Sequence, residues 1–267
     1  MNAPQGSEPV FNLPGVVVAS LAVLAGLHAV QVWLPDAEAV RWTLGWGVVP
    51  ARTLVWLGLS AESAVLEAAL REGGRGGVVL ARHVLGEGGS GGAALLTHAL
   101  LHVSWAHVGF NALWLAAFGA PVARRLGPAR FLGLAALGAA GGALAHIAAE
   151  PLSVLPMVGA STAVSALMGA ATLFVFTPAP VAVPVHARPR QALADLVRNR
   201  SAAAFVVVWF ATTLLVGLVP AALPGAEGPI AWQAHLGGFL AGCLAFPLLD
   251  PLGRAAAAAG SGGADPA

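Results

Sequence analysis

The feature that most constrains this chain is a series of six long apolar stretches, with every charged residue lying outside them. Each stretch holds about 20 residues, the length that an α-helix needs to cross the hydrocarbon core of a bilayer. The stretches cover residues 13–34, 93–118, 131–149, 157–176, 202–219 and 230–249. Because a bilayer core offers no water to the backbone, apolar segments of this length cross it as helices. We therefore expect an all-α membrane protein built as a six-transmembrane-helix bundle.

Composition agrees with this expectation and excludes other classes of protein. Hydrophobic residues make up 58% of the chain and charged residues 9%, and the mean hydropathy is +0.80. Soluble domains usually carry about 25% charged residues. The net charge is only +1, and the chain lacks the concentrated basic face that nucleic-acid binding requires. The expected surroundings are a lipid bilayer, and no nucleic-acid partner is expected.

Arginines are unevenly distributed among the connecting segments, and this predicts the orientation of the chain. The second and fourth connections contain seven of them, Arg124, Arg125, Arg130, Arg188, Arg190, Arg198 and Arg200. The third and fifth connections, residues 150–156 and 220–229, contain no basic residue. Because basic connections stay in the cytoplasm, both termini are expected on the cytoplasmic side and the odd-numbered connections outside.

The chain is expected to form one membrane domain between two tails. Residues 1–12 are interpreted as a cytoplasmic N-terminal tail, residues 13–249 as the membrane domain, and residues 250–267 as a disordered cytoplasmic tail rich in Ala and Gly. The first loop, residues 35–92, is unusually long and mixes apolar, charged and tryptophan residues. Such a mixture is typical of short helices that lie in the membrane interface, here on the outer leaflet.

Two polar residues within apolar stretches, Ser161 and His235, are the candidate reaction centre. Helix packing explains a lone Ser or His in a membrane, but the residues around Ser161 and His235 favour a functional role. Gly238 and Gly242 follow His235 by three and seven residues, and Ser161 begins a face of small residues at four-residue spacing. Two such faces can pack closely enough to bring the imidazole within hydrogen-bond reach of the hydroxyl. That is the arrangement in which a general base activates a serine.

Further histidines lie on the second apolar stretch. His107 and Asn111 are four residues apart and so share one helix face, where they could donate hydrogen bonds to a developing oxyanion or simply join helices. His98 and His102 have the spacing of a zinc-binding helix, but no acidic residue accompanies them, so no metal or other cofactor is expected. His28, His83 and His186 stand apart and are expected at the interface or in solvent.

Several motifs together resemble those of the rhomboid intramembrane serine proteases, in order, spacing and position within the stretches. They are His102-Val-Ser-Trp-Ala-His107-Val-Gly-Phe-Asn111, Phe118-Gly119, Arg124-Arg125-Leu126-Gly127, Gly159-Ala160-Ser161 and Ala234-His235-Leu236-Gly237-Gly238. The resemblance extends over roughly residues 13–249. It implies a rhomboid-like bundle with a long interfacial first loop, of the bacterial type, in a bacterial inner membrane with the active site open to the exterior.

The resemblance also implies roles for individual residues. Ser161 would be the nucleophile and His235 the general base, forming a dyad without a carboxylate. His107, Asn111 and the Ser161 N–H would form the oxyanion hole. His102 would tie the second stretch to the first loop, Gly159 would keep the approach to the nucleophile open, and Gly238 and Gly242 would let the two helices pack. The substrates would be transmembrane proteins, cut in or near a transmembrane segment.

The chain departs from the family pattern at a few positions. Ala123 replaces a Glu that many members have before the basic pair, which puts stability in doubt more than catalysis. Thr162 replaces the Gly that often follows the nucleophile, and Ser165 stands where some members have an aromatic residue, so the substrate pocket is expected to differ.

Two other functions stay open. One is a catalytically inactive rhomboid-like protein that binds transmembrane clients, although the nucleophile, the base and both side-chain oxyanion candidates are present. The other is a transporter or channel, which would be expected to have acidic residues in the membrane or broken, paired helices.

Overall fold

The computed structural model describes residues 12–218 and 231–252, and these residues are helical with no β-strand. The α-helices of the described residues are α1 (Gly15–Trp33), α2 (Asp36–Trp46), α3 (Pro50–Trp56), α4 (Glu62–Gly86), α5 (Ala94–Thr97), α6 (Trp105–Trp114), α7 (Ala120–Leu126), α8 (Pro128–Ala149), α9 (Ser161–Thr172), α10 (Arg200–Leu218) and α11 (Trp232–Leu249). The expected all-α class is confirmed. The expected tails and the fifth connection lie largely outside the described residues.

Four helices of the described residues are long and apolar enough to cross a membrane. They are Gly15–Trp33, Trp105–Leu126, Pro128–Ala149 and Trp232–Leu249, which correspond to the first, second, third and sixth apolar stretches. The chain is therefore an integral membrane protein. Six crossings stay a prediction, because α9 has only 12 residues and is about 18 Å long at 1.5 Å per residue.

The second apolar stretch differs from the expected continuous helix over residues 93–118. Helix α5 passes into a 3₁₀ turn, His98–Leu100, and a new helix begins only at Trp105. Ser104 causes the restart, since its extended backbone and its Oγ, which accepts a hydrogen bond from the His107 N–H at 3.3 Å, form an N-cap. A π-helical segment, Leu115–Gly119, then joins α6 to α7. The crossing helix is therefore displaced toward the C-terminus and ends at Leu126.

Helix α9 lies at the centre of the bundle, with α8 and α11 packed against it. Ten of its twelve residues are buried. Glycines make the close approach possible: a side chain at Gly238 would overlap the Thr162 carbonyl oxygen, and one at Gly242 would overlap the Ala166 carbonyl oxygen. The close packing expected for Gly238 and Gly242 is thus present, with the backbone of α9 as their partner.

The first loop folds into α2, α3 and α4. Helix α4 buries one face, including Val65 and Val84, and exposes Leu70 and Val79, as an amphipathic helix does. The loop is attached to the segment before α9 by paired backbone hydrogen bonds between Val48 and Met157, at 2.8 and 3.0 Å. Its position on the outer leaflet stays a prediction.

A buried ion pair joins α7 to the end of α11, far from Ser161. Arg125 donates from Nε and Nη2 to the two carboxylate oxygens of Asp250, at 2.9 and 2.8 Å, and from Nη1 to the Arg188 carbonyl oxygen at 2.6 Å. The Phe174 ring lies under the guanidinium, 4.7 Å from centroid to Cζ. This cluster anchors the region in which Ala123 stands in place of the family Glu.

Candidate active site

Ser161 is the first residue of α9 and is half-buried, so its hydroxyl lies at the edge of the core. The turn that precedes it is held by the broken second stretch. The Gly159 N–H donates to the His98 carbonyl oxygen at 2.9 Å, and the Ala160 N–H donates to His102 Nε2 at 3.4 Å. The start of α9 is therefore fixed by two histidines that lie about sixty positions earlier in the chain.

Gly159 has a φ of +126°, a conformation that L side chains rarely adopt. The His107 imidazole stands directly against it. A Cβ atom at Gly159 would lie 2.6 Å from His107 Cε1 and 2.8 Å from Nε2. Glycine is required here twice, once for the backbone conformation and once for the space that the imidazole occupies.

His235 lies in the first turn of α11 and is half-buried, like Ser161. The first turns of α9 and α11 meet at Gly142 of α8, where a Cβ atom would lie 2.5 Å from Thr162 Cγ2 and 2.6 Å from the Ala234 carbonyl oxygen. The immediate neighbours of Ser161 and His235 are thus packed on one glycine.

No hydrogen bond joins Ser161 to His235 among the residues that the structure describes. Both residues lie in the first turns of their helices, α9 and α11. Catalytic hydrogen bonds are often long without substrate and shorten when it binds. The arrangement places a hydroxyl and an imidazole at one half-buried site and leaves their contact to be completed.

His102 is fully buried, and its contacts run to α1, to α6 and to the turn before Ser161. Its ring packs edge-on against that of His107, with centroids 4.9 Å apart, and lies 6.4 Å from that of His28. The tie to the first loop that the resemblance implies is not among its hydrogen bonds or ring contacts in the described part of the chain. His28, expected at the interface or in solvent, is instead 2% exposed and packs on Trp105 at 4.7 Å.

Asn111 is buried, and its side chain is turned back on its own helix. Its Nδ2 donates to the His107 carbonyl oxygen at 3.0 Å. One N–H of this amide is therefore engaged, and the side chain must use its other N–H or rotate to reach a substrate. Its place in the oxyanion hole stays a prediction.

Three residues that sequence reasoning left without a functional role contribute to the site. His98 was considered only as a metal ligand, Thr162 only as a departure from the family pattern, and Gly142 not at all. The His98 ring is hydrogen-bonded to Thr162 Oγ1 at 3.1 Å, and Gly142 receives the Thr162 methyl. The glycines at 138 and 142, four residues apart on one face, were a signal that could have identified Gly142.

Within the described residues, no group of three or more His, Cys, Asp or Glu side chains is placed to hold a metal ion. The groups that the site offers for chemistry are the Ser161 hydroxyl, several imidazoles and backbone N–H groups. A family model described as Rhomboid domain matches residues 92–250, which include every residue of the site from His98 to Gly242. A search of curated proteins found no match.

Proposed function

Because the chain belongs to the rhomboid family of intramembrane serine proteases, we propose that it hydrolyses peptide bonds in or near transmembrane segments of other membrane proteins. The observation that carries this proposal is the position of Ser161. It begins a buried helix, beside the turn of α11 that holds His235 and next to the His107 imidazole. Each group that acyl transfer needs is available at this place.

In the proposed reaction, Ser161 Oγ attacks the carbonyl carbon of the scissile bond while His235 accepts the hydroxyl proton. His235 then gives that proton to the leaving amine as the C–N bond breaks, which leaves an acyl-enzyme on Ser161. A water molecule, deprotonated by His235, hydrolyses the ester and restores the hydroxyl. The same imidazole serves as base and acid in turn.

The oxyanion is proposed to be held by the Ser161 N–H, His107 and Asn111. The first N–H groups of a helix have no partner within the helix, and the Ser161 N–H makes no hydrogen bond among the described residues. His107 Nε2 lies at the neighbouring Gly159 backbone. Donors fixed in place before the reaction stabilise a developing charge without reorganisation, which is why such a site accelerates acyl transfer.

The proposed dyad works without a carboxylate. Asp250, which follows α11 directly, is bonded to Arg125 at the other end of the bundle. The position of the helix that carries His235 is instead held by packing, because Gly238 and Gly242 lie against the backbone of α9. We propose that this packing limits the positions that the imidazole can take relative to Ser161.

The substrates are proposed to be transmembrane proteins, cut close to the exterior face of a bacterial inner membrane. The segment before Ser161 and the first loop lie at one end of the bundle, and the arginine-rich connections lie at the other. By the positive-inside rule the arginine-rich end is cytoplasmic. The site would then open to the exterior, with both termini inside.

Cleavage by purified protein in liposomes tests the proposal. The wild-type protein should cut a model transmembrane substrate, and Ser161→Ala should abolish the cut. Ser20→Ala is the matched control, because Ser20 lies on α1 and its hydroxyl donates to the Val16 carbonyl oxygen of its own helix at 2.8 Å. If wild-type protein retains intact substrate through purification and never cuts it, the inactive, client-binding alternative is correct.

A further inference from the structure

His98 contacts the chain on both sides of the proposed nucleophile. Its carbonyl oxygen accepts a hydrogen bond from the Gly159 N–H at 2.9 Å, two residues before Ser161. Its ring Nε2 is 3.1 Å from the hydroxyl oxygen of Thr162, one residue after Ser161. His98 is completely buried, so no solvent competes for these bonds.

The second ring nitrogen of His98 fixes the direction of the bond to Thr162. Nδ1 lies 2.9 Å from the Ala94 carbonyl oxygen, which can only accept. Nδ1 must therefore carry the proton, and in the neutral imidazole Nε2 is left as an acceptor. The Thr162 hydroxyl donates to it. Both ring nitrogens of this imidazole are hydrogen-bonded, and in its neutral form only one arrangement of protons satisfies the two bonds.

Thr162 in turn contacts both neighbouring helices. Its methyl group packs on Gly142 of α8, and its carbonyl oxygen lies against Gly238 of α11, one turn after His235. A displacement of Thr162 would therefore change both the direction of the Ser161 N–H and the distance from α9 to the helix that carries His235.

We infer that Thr162 and His98 are a positioning pair, which holds Ser161 in register with His235 through one buried hydrogen bond. The inference rests on the proposed function of Ser161. The pair depends on the Thr162 hydroxyl, which is the only side-chain group of this residue that can donate to His98 Nε2.

Kinetics of Thr162→Val test the role of the bond. Valine keeps the volume and the branch at Cβ but cannot donate, so His98 Nε2 loses its partner. We expect kcat to fall about 10- to 100-fold, as small misplacements of reacting groups do, while KM is unchanged because no substrate contact is lost. Thr162→Ser keeps the hydroxyl and should restore most of kcat.

Thr172→Val is the matched control for general effects of removing a buried hydroxyl from α9. Its Oγ1 donates to the Gly169 carbonyl oxygen at 2.7 Å, at the other end of the same helix. A fall in kcat that is as large for Thr172→Val as for Thr162→Val would overturn the inference. So would a Thr162→Val protein with wild-type kcat.

A measurement independent of activity separates this inference from the proposed function. In ¹⁵N-histidine-labelled wild-type protein, one imidazole should be protonated at Nδ1 and unprotonated at Nε2, and its Nε2 signal should shift in Thr162→Val. If wild-type protein cuts no substrate, the proposed function fails, yet this spectrum still decides whether the pair exists. The inference would be overturned if the spectrum showed no Nδ1-protonated imidazole, or if the Nε2 signal of that imidazole were the same in wild-type and Thr162→Val protein.

Discussion

Gly238 packs directly on the carbonyl oxygen of Thr162, with no room between them for a side chain. This contact sets the separation of α11 and α9 at the level of the proposed dyad. Because the group that faces Gly238 is a backbone carbonyl, rotation of a side chain cannot relieve the contact. The glycines of α11 therefore determine how closely the helices that carry Ser161 and His235 approach each other.

Gly238→Ala should push α11 away from α9. Overpacking of a tight interface typically costs about 1–3 kcal/mol, and we expect a loss of that size in the free energy of unfolding, together with a loss of cleavage. Gly133→Ala is the control, because a Cβ atom at Gly133 of α8 would meet no atom within 4 Å. Equal stability of the two variants in reversible unfolding in detergent would contradict the packing argument.

Gly159→Ala should lose activity beyond what backbone strain explains. The new Cβ atom would meet the His107 imidazole and move a proposed oxyanion donor. Gly127→Ala provides the comparison, since Gly127 also has a positive φ, +75°, but open space around it. Both variants should lose about 1–3 kcal/mol of stability, and only Gly159→Ala should lower kcat per folded molecule. Equal kcat in both would mean that His107 is not needed in its observed place.

Asp250→Asn should destabilise the fold without changing the chemistry. Removal of one partner from a buried ion pair costs about 3–5 kcal/mol, because the other charge is left unpaired, and Arg125 and Asp250 have side chains 1% and 0% exposed. The exposed pair Arg198 and Asp195 is the control, and Asp195→Asn should cost no more than about 1 kcal/mol. Unfolding free energies give the comparison. A large fall in kcat of folded Asp250→Asn protein would place Asp250 in the mechanism instead.

Asn111→Ala separates a catalytic amide from a structural one. If Asn111 turns from the His107 carbonyl oxygen to the oxyanion, its removal should lower kcat about 10²- to 10³-fold, as the loss of an oxyanion donor does. Single-turnover cleavage with saturating enzyme gives this rate without a contribution from substrate binding. A variant with wild-type kcat and reduced stability would show that the amide only stabilises its own helix.

The long apolar helices of this fold could be predicted from the sequence, because hydropathy over about 20 residues reports burial in lipid. Helices α1, α8 and α11 begin and end within a few residues of the predicted stretches. The break before Trp105 could not be found in this way, since residues on both sides of it are apolar. Ser104 carried the signal, as a residue that caps helices, but one Ser among apolar residues has little weight alone.

The candidate site was predictable in part for a related reason. Small residues at four-residue spacing singled out the faces of Ser161 and His235, because close helix packing has a local pattern in sequence. The bond from His98 to Thr162 joins residues 64 positions apart, and no local pattern encodes such a contact. The orientation of Asn111 was missed because a side-chain amide can bond to its own helix or to a neighbour equally well.

The enclosure of α9 within the bundle lowers the free-energy cost of its polar residues in a membrane protein. Thr162, Ser165 and Thr172 are buried within the protein, and the hydroxyls of Thr162 and Thr172 have hydrogen-bond partners there, so these side chains are not transferred into lipid. The helices packed against α9, α8 and α11, are long and apolar enough to cross the bilayer. A helix of twelve residues can therefore hold polar side chains inside a membrane protein without exposing them to the acyl chains.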